Sequence, residues 1–129
     1  MRGAWVLENL LGTPTPDPPD DVPALEETDP ESLDAQPLRV RLQRHRDNPA
    51  CAGCHNIMDP IGFAMEQFDA IGRFRVRDLR GNPIDASGQL ANGQPIDGIA
   101  QLRDALVEQP EFFVHTFAEK MLTLSLIHI

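Results

Sequence analysis

The sequence has few of the residues on which large cores and phosphate-binding surfaces depend. Tyrosine is absent, aromatic residues make up 5% of the 129 residues, and 20 acidic residues outnumber 11 basic ones, which gives a net charge of −9. A chain with so few aromatic side chains can build only a modest core. Nucleic-acid backbones are bound through Lys and Arg, so the charge argues against a nucleic-acid partner. No apolar run reaches about eighteen residues, which predicts that the chain has no transmembrane segment.

The first twelve residues predict a short amphipathic helix. Gly12 is placed to end it, and Pro14 prevents it from continuing. Glu8 and Asn9 interrupt the stretch, unlike the uninterrupted apolar centre of a secretory signal, so we expect either a cytoplasmic chain or one whose natural N-terminus is missing. The apolar stripe of this helix consists of Trp5, Val6, Leu10 and Leu11.

Residues 13–37 predict a linker or a surface-hugging loop. They contain more than half of the twelve prolines and no Lys or Arg. Acidic residues are frequent in the same stretch, so most of the net negative charge of the chain lies before residue 39. Proline and like charges favour extended backbone and remove the side chains from which a core is built.

Residues 38–73 predict a segment built around one longer helix. Residues 38–46 alternate apolar and basic side chains in a way that fits either a strand or a helical turn. The pair Asp59-Pro60 fits an N-cap followed by proline in the first turn, which predicts a helix that begins there and ends near Gly72. The apolar face of that helix would consist of Ile61, Ala64, Met65 and Phe68.

Residues 74–123 predict a hairpin followed by two helices. Gly81-Asn82-Pro83 and Ala86-Ser87-Gly88 punctuate short apolar runs, as expected for short strands and turns. Helical spacing returns in residues 98–108 and 111–123, which Pro110 separates. The core-facing positions would be Ile99, Leu102 and Leu106 in the first helix and Phe113, Phe117, Met121 and Leu124 in the second. We therefore expect a mainly α fold with a short β-hairpin insertion and a Pro/acid-rich N-terminal extension.

Residues 124–129 match the translation of a common transposon sequencing adaptor in one reading frame. We therefore interpret them as a cloning or assembly scar and leave His128 out of the candidate site. On this interpretation the natural chain continues beyond Thr123.

Both cysteines of the chain lie in one motif, Cys51-Ala52-Gly53-Cys54-His55. Two thiols three residues apart can add to the two vinyl groups of one haem, and the adjacent imidazole can bind the iron. The ligating His must be neutral, and its other ring nitrogen normally donates to an acceptor that fixes the tautomer. The pattern predicts covalent haem c on Cys51 and Cys54, with His55 as the proximal iron ligand.

Three other uses of the motif remain open at this point. A thioredoxin-like dithiol would require Cys-x-x-Cys at a helix N-terminus beside a strand–helix–strand unit. A structural zinc site needs four ligands, and His45 is the nearest addition to Cys51, Cys54 and His55. A disulfide across so small a loop would contribute little stability.

The sixth ligand of the iron is not fixed by the sequence. Met and His are the side chains that commonly supply it, and the position can also stay open. Met65 is the distal candidate that we retain, although Met on an apolar helix face is more often part of the core. The other side chains with suitable donors are Met58, His115, Met121 and His45.

A wider set of residues resembles a known family. The stretch from Asn48 to Arg73 carries Pro49, Cys51, Cys54-His55, Asp59-Pro60, Gly62-Phe63-Ala64, Glu66, Phe68-Asp69 and Gly72-Arg73. This stretch resembles the C-terminal region of planctomycete-type cytochrome c-like proteins, which carry the domain of unknown function 1588 followed by 1585. Residues 2–12 with their proline-rich sequel resemble the first domain. Ile84 to Gly88 and Phe117 to Leu122 resemble the second.

The resemblance implies a small cytochrome c-like helical domain at the C-terminus of a larger exported protein. Residues 1–12 would end the preceding module, 38–73 would attach the haem, and 74–123 would form the C-terminal module. It implies a periplasmic or cell-surface location, with a redox partner protein or the remaining domains of the parent chain as partners. Phe63 and Phe68 would pack on the ring or in the core, and Arg73 would pair with a propionate or with a surface acid.

The function that we expect is electron transfer. The alternatives are the terminal haem domain of a peroxidase-like or other oxidative enzyme, and a zinc- or disulfide-stabilised interaction module without haem. The distal ligand separates the first two, because an open iron site favours catalysis and a filled one favours electron relay.

Overall fold

The computed structural model describes residues 2–17 and 37–127. Of the described residues, 56% are helical, which confirms the mainly α prediction. Residues 18–36 of the predicted linker, and His128 of the predicted adaptor segment, lie outside the described residues. The described elements are α1 (Arg2–Asn9), α2 (Leu38–Arg46), α3 (Pro49–Ala64), β1 (Ser87–Gln89), β2 (Pro95–Asp97), α4 (Gly98–Val107) and α5 (Pro110–Leu126).

Helix α1 crosses α3 at unusually close range. Gly3 is buried in α1, and a Cβ added to it would overlap the carbonyl oxygen of Met58 and lie 3.1 Å from the backbone nitrogen of Gly62. Gly12 has a φ of 63° just beyond the helix, as expected for a glycine that ends one. The predicted stripe is only partly correct, because Val6 is 3% exposed whereas Trp5 is 58% exposed.

Residues 38–46, for which a strand and a helix were both open, form the helix α2. It follows Pro37 and ends in Arg44, His45 and Arg46, which suits the negative C-terminal end of a helix. Helix α2 packs on α3. The basic residues of α2 therefore lie next to the helix that carries both cysteines.

The predicted start of the central helix is wrong. Helix α3 begins at Pro49, and its N-cap is Asn48, whose side-chain oxygen accepts a hydrogen bond of 3.0 Å from the Ala50 N–H. The pair Asp59-Pro60 lies well inside the helix. Pro60 packs against the backbone of Gly88. A Cβ added to Gly88 would lie 3.0 Å from the Cβ of Pro60. This packing holds Asp59-Pro60 inside the helix, although the pair alone would fit a helix start.

The predicted end of the helix is also wrong. Helix α3 ends at Ala64 with Met65 as its C-cap, and it does not reach Gly72. The chain then forms turns with isolated bridges between Phe68 and Phe74 and between Arg77 and Pro83. The predicted hairpin is confirmed, because β1 and β2 pair antiparallel with Gly88 opposite Ile96. Ser87 and Gly88, which were expected to separate apolar runs, belong to strand β1 itself.

The core lies between α1, α3, α4 and the hairpin. Helices α4 and α5 confirm the two predicted helices, and Leu102 of α4 is 1% exposed. The predicted apolar face of α5 does not enter the core, because Phe113 is 47% exposed and Phe117 56% exposed. Within the described part of the chain, helix α5 packs mainly on α4, and Thr116 is its only buried residue. The core cluster consists of Val6, Leu7, Met58, Ile61, Ala64, Ile96, Leu102 and Ala105.

None of the described helices combines the length and the apolar character that a membrane crossing requires.

Candidate functional site

The two thiols and the imidazole of the motif lie in the first turns of α3. Cys51 is 6% exposed, Cys54 is partly buried beside the core cluster, and both are free thiols. Cys51 and His55 are four residues apart, so they lie one above the other on the same face of the helix. One helix therefore fixes the relative placement of all three side chains.

The imidazole of His55 is held by a carboxylate of the same helix. Its Nδ1 lies 3.0 Å from Oδ1 of Asp59, one turn further along α3. His55 is 9% exposed and Asp59 is 7% exposed. An ionised carboxylate can only accept hydrogen bonds, so with Asp59 ionised Nδ1 must carry the proton. The lone pair of a neutral imidazole is then on Nε2, which is the form that binds a metal.

The second oxygen of Asp59 is buried next to a cation of α2. Its Oδ2 lies 3.8 Å from Nε of Arg46, and within the described ranges neither atom has a hydrogen-bond partner. The pair is therefore an ionic contact without hydrogen bonding. Because the side chain of Arg46 is only 15% exposed, solvent screens this contact weakly.

Helix α2 forms the cover of the site. The ring of His45 meets the ring of His55 edge-on, with centroids 4.6 Å apart and an interplanar angle of 73°. Two turns further along α3, Phe63 is 4% exposed and lies beneath the guanidinium of Arg39, whose central carbon is 4.3 Å from the ring centroid. The ring of Phe63 is thus packed against protein side chains.

The structure does not bring the distal candidate Met65 to His55. The two residues are ten positions apart along α3, which corresponds to about 15 Å at 1.5 Å per residue. Met65 packs against the core cluster, and Met58 belongs to that cluster. His115 and Met121 are exposed on α5. Among the described candidates, His45 is the one whose side chain meets His55, and the two rings meet edge-on.

The three other interpretations of the motif fare differently. The Cys-x-x-Cys pair does lie near a helix N-terminus, as a thioredoxin-like dithiol requires, but the described ranges contain no strand before α3. The thiols do not form a disulfide. No group of three or more His, Cys, Asp or Glu side chains in the described part of the chain is arranged to hold a metal ion, so the structure does not assemble a zinc site.

An apolar cavity of about 170 Å³ lies on another side of α3. Leu7, Ile57, Ile61 and Leu106 contribute to its walls. Ile57 is two residues from His55 and so points about 200° away around the helix. Cys51, Cys54 and His55 do not line this cavity.

Sequence reasoning missed the role of Asp59. The spacing of four residues between His55 and Asp59 was the available signal, since such pairs meet on one helix face. It was hidden because Asp59 was expected to cap a helix that begins there. The contact of Arg46 with Asp59 depends on how α2 packs on α3, and no local pattern indicates it.

Phe68 and Arg73, two further positions of the resemblance, lie in the turns that follow α3. Phe68 is partly buried and meets Phe74 edge-on with ring centroids 5.6 Å apart. Arg73 is exposed, and its backbone N–H donates to Asp69 over 2.8 Å. Asp69 also accepts from the Ile71 N–H, so this acid organises the turn after α3.

Comparison with known proteins identified one family. A family model, PSCyt3, described as a protein of unknown function (DUF1588), matches residues 1–78. This range contains α1, α2 and α3 with Cys51, Cys54, His55 and Asp59. The comparisons do not confirm domain 1585 or the planctomycete cytochrome c-like assignment. No curated protein and no solved structure matched the chain.

Proposed function

The chain belongs to the PSCyt3 (DUF1588) family of proteins of unknown function, and we propose that it is a covalent c-type haem-binding module for electron transfer at the C-terminus of a larger exported protein. The observation that carries the proposal is the arrangement of the motif in α3. Two free thiols and an imidazole lie on one helix, and the carboxylate of Asp59 leaves Nε2 of the imidazole available. The name of the family, with its cytochrome-like element, agrees with this proposal.

The donor set fits haem c better than it fits zinc. Haem attachment needs two thiols and one neutral imidazole, and the structure places all three on one helix. Cys51 and Cys54 would form the thioethers, and His55 would bind the iron through Nε2. A zinc site needs four ligands, and the described residues do not assemble them.

Electron transfer is the function that such a site supports. A bound haem supplies one-electron chemistry, whose potential depends on the axial ligands, hydrogen bonds and burial. The residues of this chain hold the imidazole, limit its contact with water and place charges beside it. His55 and Asp59 are both buried, so water has little access to the pair.

We place the module outside the cytoplasm, in the periplasm or on the cell surface. Thioether haem is assembled outside the cytoplasm, so a chain that carries it is exported. Its electrons would pass to a redox partner protein or to other domains of the parent chain.

The proposal is tested by producing the chain in a bacterial periplasm together with the haem-attachment machinery. We expect a red protein whose mass includes one haem and whose colour stays with the polypeptide in acidic acetone. Cys51→Ala and Cys54→Ala should each lower the amount of attached haem, and His55→Ala should change the iron spectrum. His115→Ala removes an exposed imidazole on α5 and is the matched control, which should leave the spectrum unchanged. A colourless product without porphyrin in its mass would overturn the proposal.

A second candidate function is a peroxidase-like or other oxidative haem enzyme. It is favoured by the buried carboxylate on Nδ1 of His55, because such a partner makes an imidazole a stronger electron donor to a metal. The iron spectrum separates the two functions. A high-spin iron that binds cyanide would favour the enzyme, whereas a low-spin iron that does not react with cyanide would favour the electron carrier.

A further inference from the structure

Asp59 is the only buried carboxylate among the described residues, and electron transfer as such does not require it. Burying a charge is costly unless the charge is paired and hydrogen-bonded. Asp59 lies in the middle of α3, where it does not cap the helix. Local structure therefore does not explain why a carboxylate is buried at this position.

We propose that Asp59 is a positioning residue that holds His55 in the tautomer with the proton on Nδ1, and that it thereby lowers the reduction potential of an iron bound at Nε2. The first part concerns the chain alone. The second part rests on the function proposed above.

The geometry carries the first part. The distance of 3.0 Å between Nδ1 of His55 and Oδ1 of Asp59 is that of an ordinary hydrogen bond. Both side chains are nearly excluded from water, so solvent competes weakly for the imidazole proton. Since the acceptor is a carboxylate, a neutral His55 with its proton on Nε2 would set two lone pairs against each other at this distance.

The surroundings keep the pair in place. Arg46 lies beside the second oxygen of Asp59, with 3.8 Å between Nε and Oδ2, and it offsets the cost of the buried charge. The ring of His45 packs edge-on against the ring of His55 and so limits its rotation. Helix α2 thus supplies both a cation and an aromatic contact to a pair that belongs to α3.

The effect on potential follows from charge. A carboxylate that accepts from Nδ1–H increases the electron density on the imidazole, which stabilises the ferric state relative to the ferrous state. Arg46 weakens this effect, because it draws on the same carboxylate. The negative charge of Asp59 is therefore expected to lower the reduction potential of the iron.

The first experiment uses the chain without haem. Nitrogen-15 NMR of the imidazoles, at an alkaline pH where an ordinary imidazole is neutral, reports which ring nitrogen carries the proton. We expect the Nδ1–H form for His55 and the ordinary mixture for the exposed His115. In Asp59→Ala, His55 should shift towards the Nε2–H form. A wild-type His55 that is predominantly Nε2–H would overturn the first part, even if the variant failed to fold.

The second experiment uses the haem-loaded protein. Asp59→Asn keeps the size of the side chain but removes its charge, and we expect the reduction equilibrium to change at least about tenfold, which is about 59 mV upwards for one electron. Asp104→Asn removes an exposed negative charge and is the matched control, with a clearly smaller shift expected. The iron–histidine stretching frequency of the ferrous protein, measured after photolysis of its carbon monoxide complex if needed, should fall only in Asp59→Asn.

The two proposals fail in different ways. If no haem is attached, the proposed function fails, and the NMR experiment still decides the role of Asp59 towards His55. If haem is attached but Asp59→Asn and Asp104→Asn give equal potentials and unchanged iron–histidine frequencies, the function stands and the second part of this inference is wrong.

Discussion

The guanidinium of Arg39 lies over the ring of Phe63, with 4.3 Å between its central carbon and the ring centroid. The same side chain donates to the backbone carbonyls of Asp85 and Ser87 and forms an ion pair of 3.2 Å with the Asp85 carboxylate. Arg39 therefore ties α2 to the turn that precedes β1. Phe63, which is 4% exposed, joins this contact to α3.

Arg39→Lys is expected to lower the free energy of unfolding by about 1–2 kcal/mol, because an ammonium group cannot reproduce both the fork of donors and the stacking. Urea unfolding of the chain without haem measures this change in the free energy of unfolding. The matched control is Arg44→Lys on the same helix, where the side chain is exposed and the change should be near zero. Equal effects of the two changes would show that Arg39 contributes only its charge.

Gly3→Ala is expected to destabilise the protein by about 1–3 kcal/mol, since the new methyl group would overlap the carbonyl oxygen of Met58 and force α1 away from α3. The matched control is Gly53→Ala, a helix position where an added Cβ meets nothing within 4 Å. Because alanine has a higher helix propensity than glycine, Gly53→Ala should raise the free energy of unfolding by up to about 1 kcal/mol. In thermal unfolding, the Tm should fall in Gly3→Ala and rise in Gly53→Ala. A higher Tm in Gly3→Ala would contradict the observed helix crossing.

Ser87→Ala is expected to raise the pKa of Asp85 towards its ordinary value. The Ser87 hydroxyl donates to Asp85 over 2.6 Å and is the main cause of the lowered pKa of this carboxyl, followed by the Ser87 N–H and Arg39. A lowered pKa means that Asp85 stabilises the fold above the ordinary carboxylate pKa of about 3.9, and that this contribution is lost as the pH falls through the folded value.

An NMR titration of the carboxyl groups checks the prediction about Ser87. Asp78 is the internal control, because Asn82 is the main cause of its lowered pKa and Ser87→Ala should not change it. A pKa of Asp85 that is the same in both proteins would show that the hydroxyl does not stabilise the carboxylate.

Phe117→Gln is expected to change the free energy of unfolding by less than about 0.5 kcal/mol, because the ring is 56% exposed on α5. Leu102→Ala, at a core position that is 1% exposed, should cost about 2–5 kcal/mol. Urea unfolding of both variants provides the comparison. A loss of 2 kcal/mol or more in Phe117→Gln, on the scale of a core substitution, would show that the face of α5 that carries Phe117 is buried in solution.

The class of the fold was predictable because it depends on local periodicity. Helices α1, α4 and α5 lie close to where apolar spacing places them, and the hairpin lies in the predicted region although Ser87 and Gly88 belong to a strand. The boundaries of α3 were not predictable in the same way. Asn48-Pro49 and Asp59-Pro60 are equivalent local signals, and only the packing of Pro60 on Gly88 and the bond between Asp59 and His55 distinguish them.

The burial of the predicted helix faces was harder to predict than the helices themselves. The apolar stripe that contains Phe113 and Phe117 has correct helical spacing, but helix α5 has few contacts with the domain. The motif residues were found because five consecutive positions define them. Arg46 and His45 reach the site only through the packing of α2 on α3, which sequence periodicity does not encode.

The placement of Cys51, Cys54 and His55 within a single helix has a consequence for how the site forms. Sites assembled from distant segments require loops to close, at an entropic cost that grows with loop length. Here a few turns of α3 order both sulfur atoms, the imidazole and its carboxylate partner together. The attachment geometry therefore depends on this one segment being helical and not on the closure of a loop.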